Sequence, residues 1–231
     1  MSTLSKNKSR WCARYFKVFA FLGFCKYFNG KAIANKTVKK MNDFVIRLAL
    51  KDKLATEYTN IHQTRILDEF GIKHGAARID VIVINNILHG FEIKSGKDTL
   101  RRLKSQAQIY SAVLNKVTLV VDIKHLDKAI KIIPKWWGVV TVEKRNNSFI
   151  KFTQIRKEKS NPQIDILSVV KLLWRNEALD LLEKIDKAKG YRSKPRKVIY
   201  KRVSELYDFE QIQEKVVSQI KSRANWRLAE T

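Results

Sequence analysis

The 231-residue sequence predicts an α/β protein with a mixed central sheet flanked by helices. Two features carry the prediction. Apolar residues recur at helical spacing in segments 43–57 and 97–115. Short runs rich in Val and Ile stand between and after those segments, at 78–85, 87–94 and 117–123. The resulting order is helix, strand, strand, helix, strand, helix, strand, strand, which calls for both antiparallel and parallel strand neighbours.

The elements follow from the residues in chain order. Phe44 and Leu48 lie four apart, as do Ile46, Leu50 and Leu54, so 43–57 is a helix with Asn42 or Asp43 as its cap. Residues 59–72 fit helix or strand equally. RIDVIVINNILHGFEIKSG then reads as two strands, about 78–85 and 87–94. Leu100, Leu103, Ala107, Tyr110 and Leu114 form one stripe and predict a helix over 97–115, capped by Asp98 or Ser95. VTLVVDI is a buried-type strand. HLDKAIKII is a short helix ending at Pro134, and WGVVTVEK and SFIKFTQI are a strand pair around Asn146-Asn147. From about 163 the chain turns helical. A last helix starts at Asp208, with Gln211 placed for a capping box. The expected organisation is a basic extension at 1–40, an α/β core at 41–160 and a helical region at 161–231 that contains a basic linker, 187–202.

Charge bounds the partners. There are 47 Lys+Arg against 22 Asp+Glu, a net charge of +25. Such a surface attracts polyanions, nucleic acid above all. Residues 1–40 hold ten Lys/Arg and no acid, around the aromatic stretch WCARYFKVFAFLGFCKYF, whose longest uncharged run is eight residues. That run is too short to span a bilayer, so no stable membrane insertion is expected. Ala32-Ile33-Ala34 has the look of a cleavage site, but Lys26 and Lys31 intervene. Met41 opens a natural domain start. Cys12 and Cys25 make no disulfide framework, which fits a reducing cytoplasm. The run from Lys187 to Arg202 holds eight positive residues and no acid, with Tyr191 and Tyr200 interleaved. It suits either phosphate and base contacts or a solvated linker. No feature argues for a homo-oligomer.

Chemistry concentrates at Asp80, Glu92 and Lys94. Glu92 and Lys94 share a strand face. Asp80 joins them only if the connection between its strand and theirs has an odd number of residues, or if a strand bulges, with Gly90 the candidate position. Two adjacent carboxylates repel unless a cation sits between them, and hard oxygen donors suit Mg2+ or Mn2+. A lysine alongside would orient a water or offset charge on a phosphate. A plainer account pairs Asp80 with Arg78 and leaves Glu92 and Lys94 as a surface ion pair. Asp122-Ile123-Lys124 is a second acid-x-lysine triplet that lacks a partnering acid. His62, His74, His89 and His125 show no zinc-ligand spacing. Trp136-Trp137 reads as packing.

Asp80, then eleven residues, then Glu92-Ile93-Lys94, followed by a helix, resembles the PD-(D/E)XK nuclease superfamily. Gln106 and Tyr110, spaced Gln-x-x-x-Tyr, resemble the extra motif of its RecB-like branch. DEFGIKHGAARIDVIVINNILHGFEIKSGKDTLRRLKSQAQIY, KVTLVV, IPKWWGV and LLWRNEALDLL resemble a little-characterised bacterial and phage family of predicted nucleases within it. The resemblance spans roughly 42–182, and Ile79 replaces the proline of the superfamily's name. It implies a restriction-endonuclease-like core and Mg2+-dependent (or Mn2+-dependent) hydrolysis of DNA. Asp80, Glu92 and the Ile93 carbonyl would be metal ligands and Lys94 the residue serving hydrolysis. Gln106 and Tyr110 would lie near the site and the DNA. A further upstream acid is expected, with Glu69 the better placed and Glu57 the runner-up. Arg101, Arg102 and Lys104, at the start of the helix, are candidate phosphate contacts.

Overall fold

The computed structural model describes residues 42–59, 63–144 and 150–223. The expected N-terminal extension, both cysteines, His62 and the Asn146-Asn147 turn lie outside the described residues. From Met41 onward the chain forms one unit. Its elements are α1 (Asp43–Glu57), β1 (Arg65–Ile72), β2 (Ala77–Ile84), β3 (Leu88–Lys94), α2 (Leu103–Ser111), β4 (Lys116–Asp122), α3 (Leu126–Ile132), β5 (Gly138–Lys144), β6 (Ile150–Arg156), α4 (Ile166–Val170), α5 (Arg175–Glu183), α6 (Arg196–Leu206) and α7 (Phe209–Ser222). The ambiguous stretch 59–72 thus supplies a strand. The six strands lie in chain order across one sheet. β1, β2 and β3 are antiparallel, β3, β4 and β5 parallel, and β6 antiparallel to β5. The protein is α/β with a mixed sheet.

The two sheet faces bury different cores. α1 lays Ile46, Leu50 and Leu54 against Val81, Val83, Phe91, Ile93 and Val120. Its first turn is capped by Asn42, whose Oδ1 accepts from Val45 N at 3.0 Å. The opposite face carries the larger core, where α2, α3 and all four C-terminal helices meet Ile79, Ile82, Ile84, Leu119 and Val121. The described part of region 161–231, up to residue 223, therefore shares the sheet's own core. Two cationic anchors reinforce it. Arg65 of β1 donates from one nitrogen toward the carbonyls of Ile220, Lys221 and Arg223 at the end of α7, at 2.6–3.2 Å. Arg223 pairs with buried Glu177 at 2.5 Å and lies over the Trp174 ring. At Asp208 the expected capping box forms with Gln211.

Three expectations about local structure need correction. The helix over 97–115 shortens to Leu103–Ser111. Asp98 binds Ser95 instead of capping it, accepting from the Ser95 amide at 2.7 Å and hydroxyl at 2.6 Å, and this turn competes with helix. The linker 187–202 is half helix, since α6 starts at Arg196. Gly90 forms no bulge and pairs in regular register with Ile82. Its role is close approach: a Cβ there would lie 2.6 Å from Leu114 Cδ1 and 3.0 Å from Ile79 Cγ1. Both neighbours are wholly buried, so neither can swing into solvent.

Gly90→Ala should cost about 1–3 kcal/mol through overpacking. A chemical-denaturation midpoint equal to wild type would show that the interface between β3 and the Leu114 turn yields easily.

Candidate active site

Three residues, Asn85, Asn86 and Ile87, connect β2 to β3, so the strands pair Ile84↔Leu88 and Val81↔Phe91. Asn85 Oδ1 holds the turn by accepting from the amides of Asn86 and Ile87, at 2.7 and 3.1 Å. Because the count is odd, position 80 falls level with position 92. The backbone ladder stops just there. Asp80 Oδ2, in place of a carbonyl, accepts from Ile93 N at 2.7 Å.

β1 departs from regularity at the same level. Pairing steps from Asp68↔Val81 to Phe70↔Ile79, and Glu69 between them has φ 52. Leu67 and Phe70 face one core although three positions separate them, and so do Ile82 and Ile79. The alternation therefore slips by one residue at Glu69 and Asp80. A left-handed backbone at a non-glycine residue costs about 1–2 kcal/mol and is retained where surrounding contacts demand it. Here the contacts are ionic: Glu69 pairs with Arg47 and, at 3.3 Å, with Arg78.

Glu92 is the centre of the cluster. It is 1% exposed and Lys94 5%, so theirs is a buried pair, not a surface one. Lys94 Nζ donates to Glu92 Oε1 at 2.5 Å, and Gln106 Nε2 donates to the same oxygen at 2.7 Å. The Tyr110 hydroxyl lies 2.9 Å from Glu92 Oε2 and 2.7 Å from the Arg78 carbonyl. Gln106 and Tyr110 are one helical turn apart on α2, and the helix packing that buries Tyr110 also aims it here. Desolvation by burial raises the Glu92 carboxyl above its ordinary value, against the lowering pull of Lys94. Burial first, and then Glu92, push Asp80 up to about 8. Each carboxyl is thereby pushed toward its protonated form.

Arg47 and Asp43, which sequence reasoning missed, complete the cluster from α1. Arg47 lies 2.5 Å from Asp43 and 3.5 Å from Asp80, besides its pair with Glu69. Helical spacing sets the Asp43–Arg47 pair at i, i+4, so that half was readable; the meeting with β1 and β2 was not. Other expected residues stand elsewhere. Glu57 pairs with Lys53 at the far end of α1, away from the cluster. Arg78 binds Glu69, not Asp80. Arg101, Arg102 and Lys104 are exposed beside the start of α2. Asp122 caps the turn after β4, accepting from Lys124 N. Trp136 and Trp137 are buried, and so is Tyr200, which removes it as a base-stacking residue. Lys187, Lys189, Arg192, Lys194, Arg196, Lys197 and Lys201 remain exposed.

Among the described residues no three His, Cys, Asp or Glu side chains could hold a metal together. A divalent ion would therefore need Asp80 and Glu92 with backbone or water oxygens. The donor chemistry fits: Asp80 and Glu92 stand level on neighbouring strands, and their hard carboxylate oxygens suit such an ion. Gln106 Oε1 is moreover buried without a donor, which an ion-bound water would supply.

The fold and cluster define an α/β protein with a buried acid, lysine, glutamine and tyrosine centre at the level where the β2–β3 ladder ends. The chain belongs to the bacteriophage P4 protein cII family, which it matches over residues 36–228. Protein cII of Enterobacteria phage P4 is 32% identical over 117 residues, covering 51% of this chain and 44% of that protein, so the match spans less than half of the relative's length. A solved structure, the SPO1766 protein of unknown function from Silicibacter pomeroyi, aligns with 63% of this chain and 94% of its own, at a TM-score of 0.36 and 15% identity.

The raised Asp80 carboxyl has a stability consequence. Between about pH 4 and 8 the folded state binds more protons than the unfolded one, so metal-free stability falls as pH rises through that window. Melting temperatures of wild type should decline more steeply there than those of Asp80→Asn. Parallel curves would place the extra proton affinity on another group.

Proposed function

We propose that this protein is a metal-dependent nuclease that hydrolyses DNA phosphodiester bonds. The observation that carries the reading is the buried Glu92–Lys94 pair with Asp80 at the same level. A pure scaffold gains nothing from it that apolar residues would not supply more cheaply. The resemblance to PD-(D/E)XK nucleases assigns those same three residues, and the +25 charge favours a polyanionic substrate. Asp80 and Glu92, with the Ile93 carbonyl, would hold Mg2+ or Mn2+; when bound, the ion polarises a phosphoryl oxygen and acidifies a water. Lys94 orients the attacking water or offsets charge on the phosphate. Gln106 and Tyr110 fix the Glu92 carboxylate. The exposed Arg101, Arg102 and Lys104 contact flanking phosphates. A non-catalytic nucleic-acid-binding protein on the same framework is the second reading. It is favoured by the internal donors that already engage both Glu92 oxygens.

Purified full-length protein should cut single- or double-stranded DNA with Mg2+ or Mn2+ and not with EDTA. Asp80→Ala and Lys94→Ala should each lose at least about a hundredfold of that rate, the range general-base and electrostatic groups contribute. Circular dichroism should accompany the lysine variant, since it strips a buried carboxylate of its partner. Binding without cleavage under either metal would turn the assignment to the second reading.

A further inference from the structure

We propose that Arg47 is a tethered cation that fills the acidic lobe formed by Asp43, Glu69 and Asp80, so that the centre admits a single divalent ion beside Glu92. This rests on the metal-dependent reading above and adds the ion count and the residue that sets it.

The geometry is convergent. Three carboxylates from three elements meet one guanidinium: Asp43 of α1 at 2.5 Å, Asp80 of β2 at 3.5 Å and Glu69 of β1 in direct contact. Arg47 approaches from the α1 face of the sheet, whereas Gln106 and Tyr110 approach from the other, so Asp80 lies between two sets of partners. The guanidinium is held in place. It follows Ile46, which is fully buried, and its own side chain is only 17% exposed. The strained backbone at Glu69 turns that carboxylate toward Arg47, and Arg78 binds its second oxygen. The acids that would otherwise collect cations thus converge on an arginine.

Charge balance points the same way. Asp43, Glu69, Asp80 and Glu92 face the fixed cations Arg47, Arg78 and Lys94. Asp98 adds a fifth negative charge, because its hydrogen bonds come from the neutral Ser95. One divalent ion offsets the excess of these acids over the cations, and a second would meet the repulsion of Arg47 and Lys94 at short range. Arg47 also competes for Asp80: an incoming ion must draw that carboxylate from the guanidinium and overcome its repulsion. Arg47 is therefore a positioning residue that lowers metal affinity while limiting the count.

The test is Mn2+ binding to the full chain, by calorimetry and by the electron paramagnetic resonance signal of free Mn2+, without DNA. Wild type should bind one ion. Arg47→Gln should bind Mn2+ at least tenfold more tightly or take a second ion, and Arg47→Lys should return to wild-type stoichiometry and affinity. Two ions on wild type would overturn the proposal whether or not any variant folds. Weaker binding by a folded Arg47→Gln, or binding unchanged from wild type, would also overturn it. No ion on wild type would fail the metal-dependent reading itself, an outcome separate from the other two.

Discussion

A carboxylate inside an apolar sheet is tolerable only when its lone pairs meet donors and its charge meets a cation. Glu92 imposes that condition on its neighbours. Lys94, two residues on along the same strand, supplies the charge. The glutamine and tyrosine of α2 supply the remaining contacts, which fixes the rotation of that helix about its axis. Gly90, two positions before Glu92, lets the chain at Leu114 come close. The turn between β2 and β3 must then have the right length, because otherwise Asp80 would face the other side of the sheet.

The opposite flank is organised by charge instead of apolar fit. Arg47 gathers acids from a helix and two strands, and the strand that carries Glu69 slips its alternation to reach it. The two flanks differ in kind. One is a buried, hydrogen-bonded centre packed by an apolar helix face. The other is an ion-pair hub closer to solvent. Asp80 belongs to both, which explains why its carboxyl feels burial, Glu92, Asp43 and Lys94 at once.

The C-terminal helices bear on the centre indirectly. They cover the face from which α2 works; Arg65 ties the sheet to the end of α7, and the Glu177–Arg223 pair ties α5 to the residue after α7. Their apolar residues join those of α2 in one core, so the position of Tyr110 depends on them. Exposed basic side chains from Lys187 to Lys201 lie on this region and give it a positive surface while its tyrosines turn inward.

Much of this was legible in the residues. Helical spacing located α1, with Asn42 one of two candidate caps, and apolar runs located the strands other than β1, whose segment fitted helix or strand. The acid-x-lysine triplet after an aspartate strand pointed to Asp80, Glu92 and Lys94, and the family resemblance added Gln106 and Tyr110. Periodicity and spacing are local properties, and these elements are decided locally. The sequence could state only a condition for Asp80 meeting Glu92, an odd connection; the three-residue turn at Asn85 decided it. It could not separate Asp98 as a cap from Asp98 bound to Ser95, because both use one side chain in one short loop. It could not find Arg47 as a hub, or the slip at Glu69, because these arise where a helix from one sheet face meets two strands distant in the chain. Electrostatic convergence of that kind is a property of packing, and only the tertiary structure brings the charges within reach of one another.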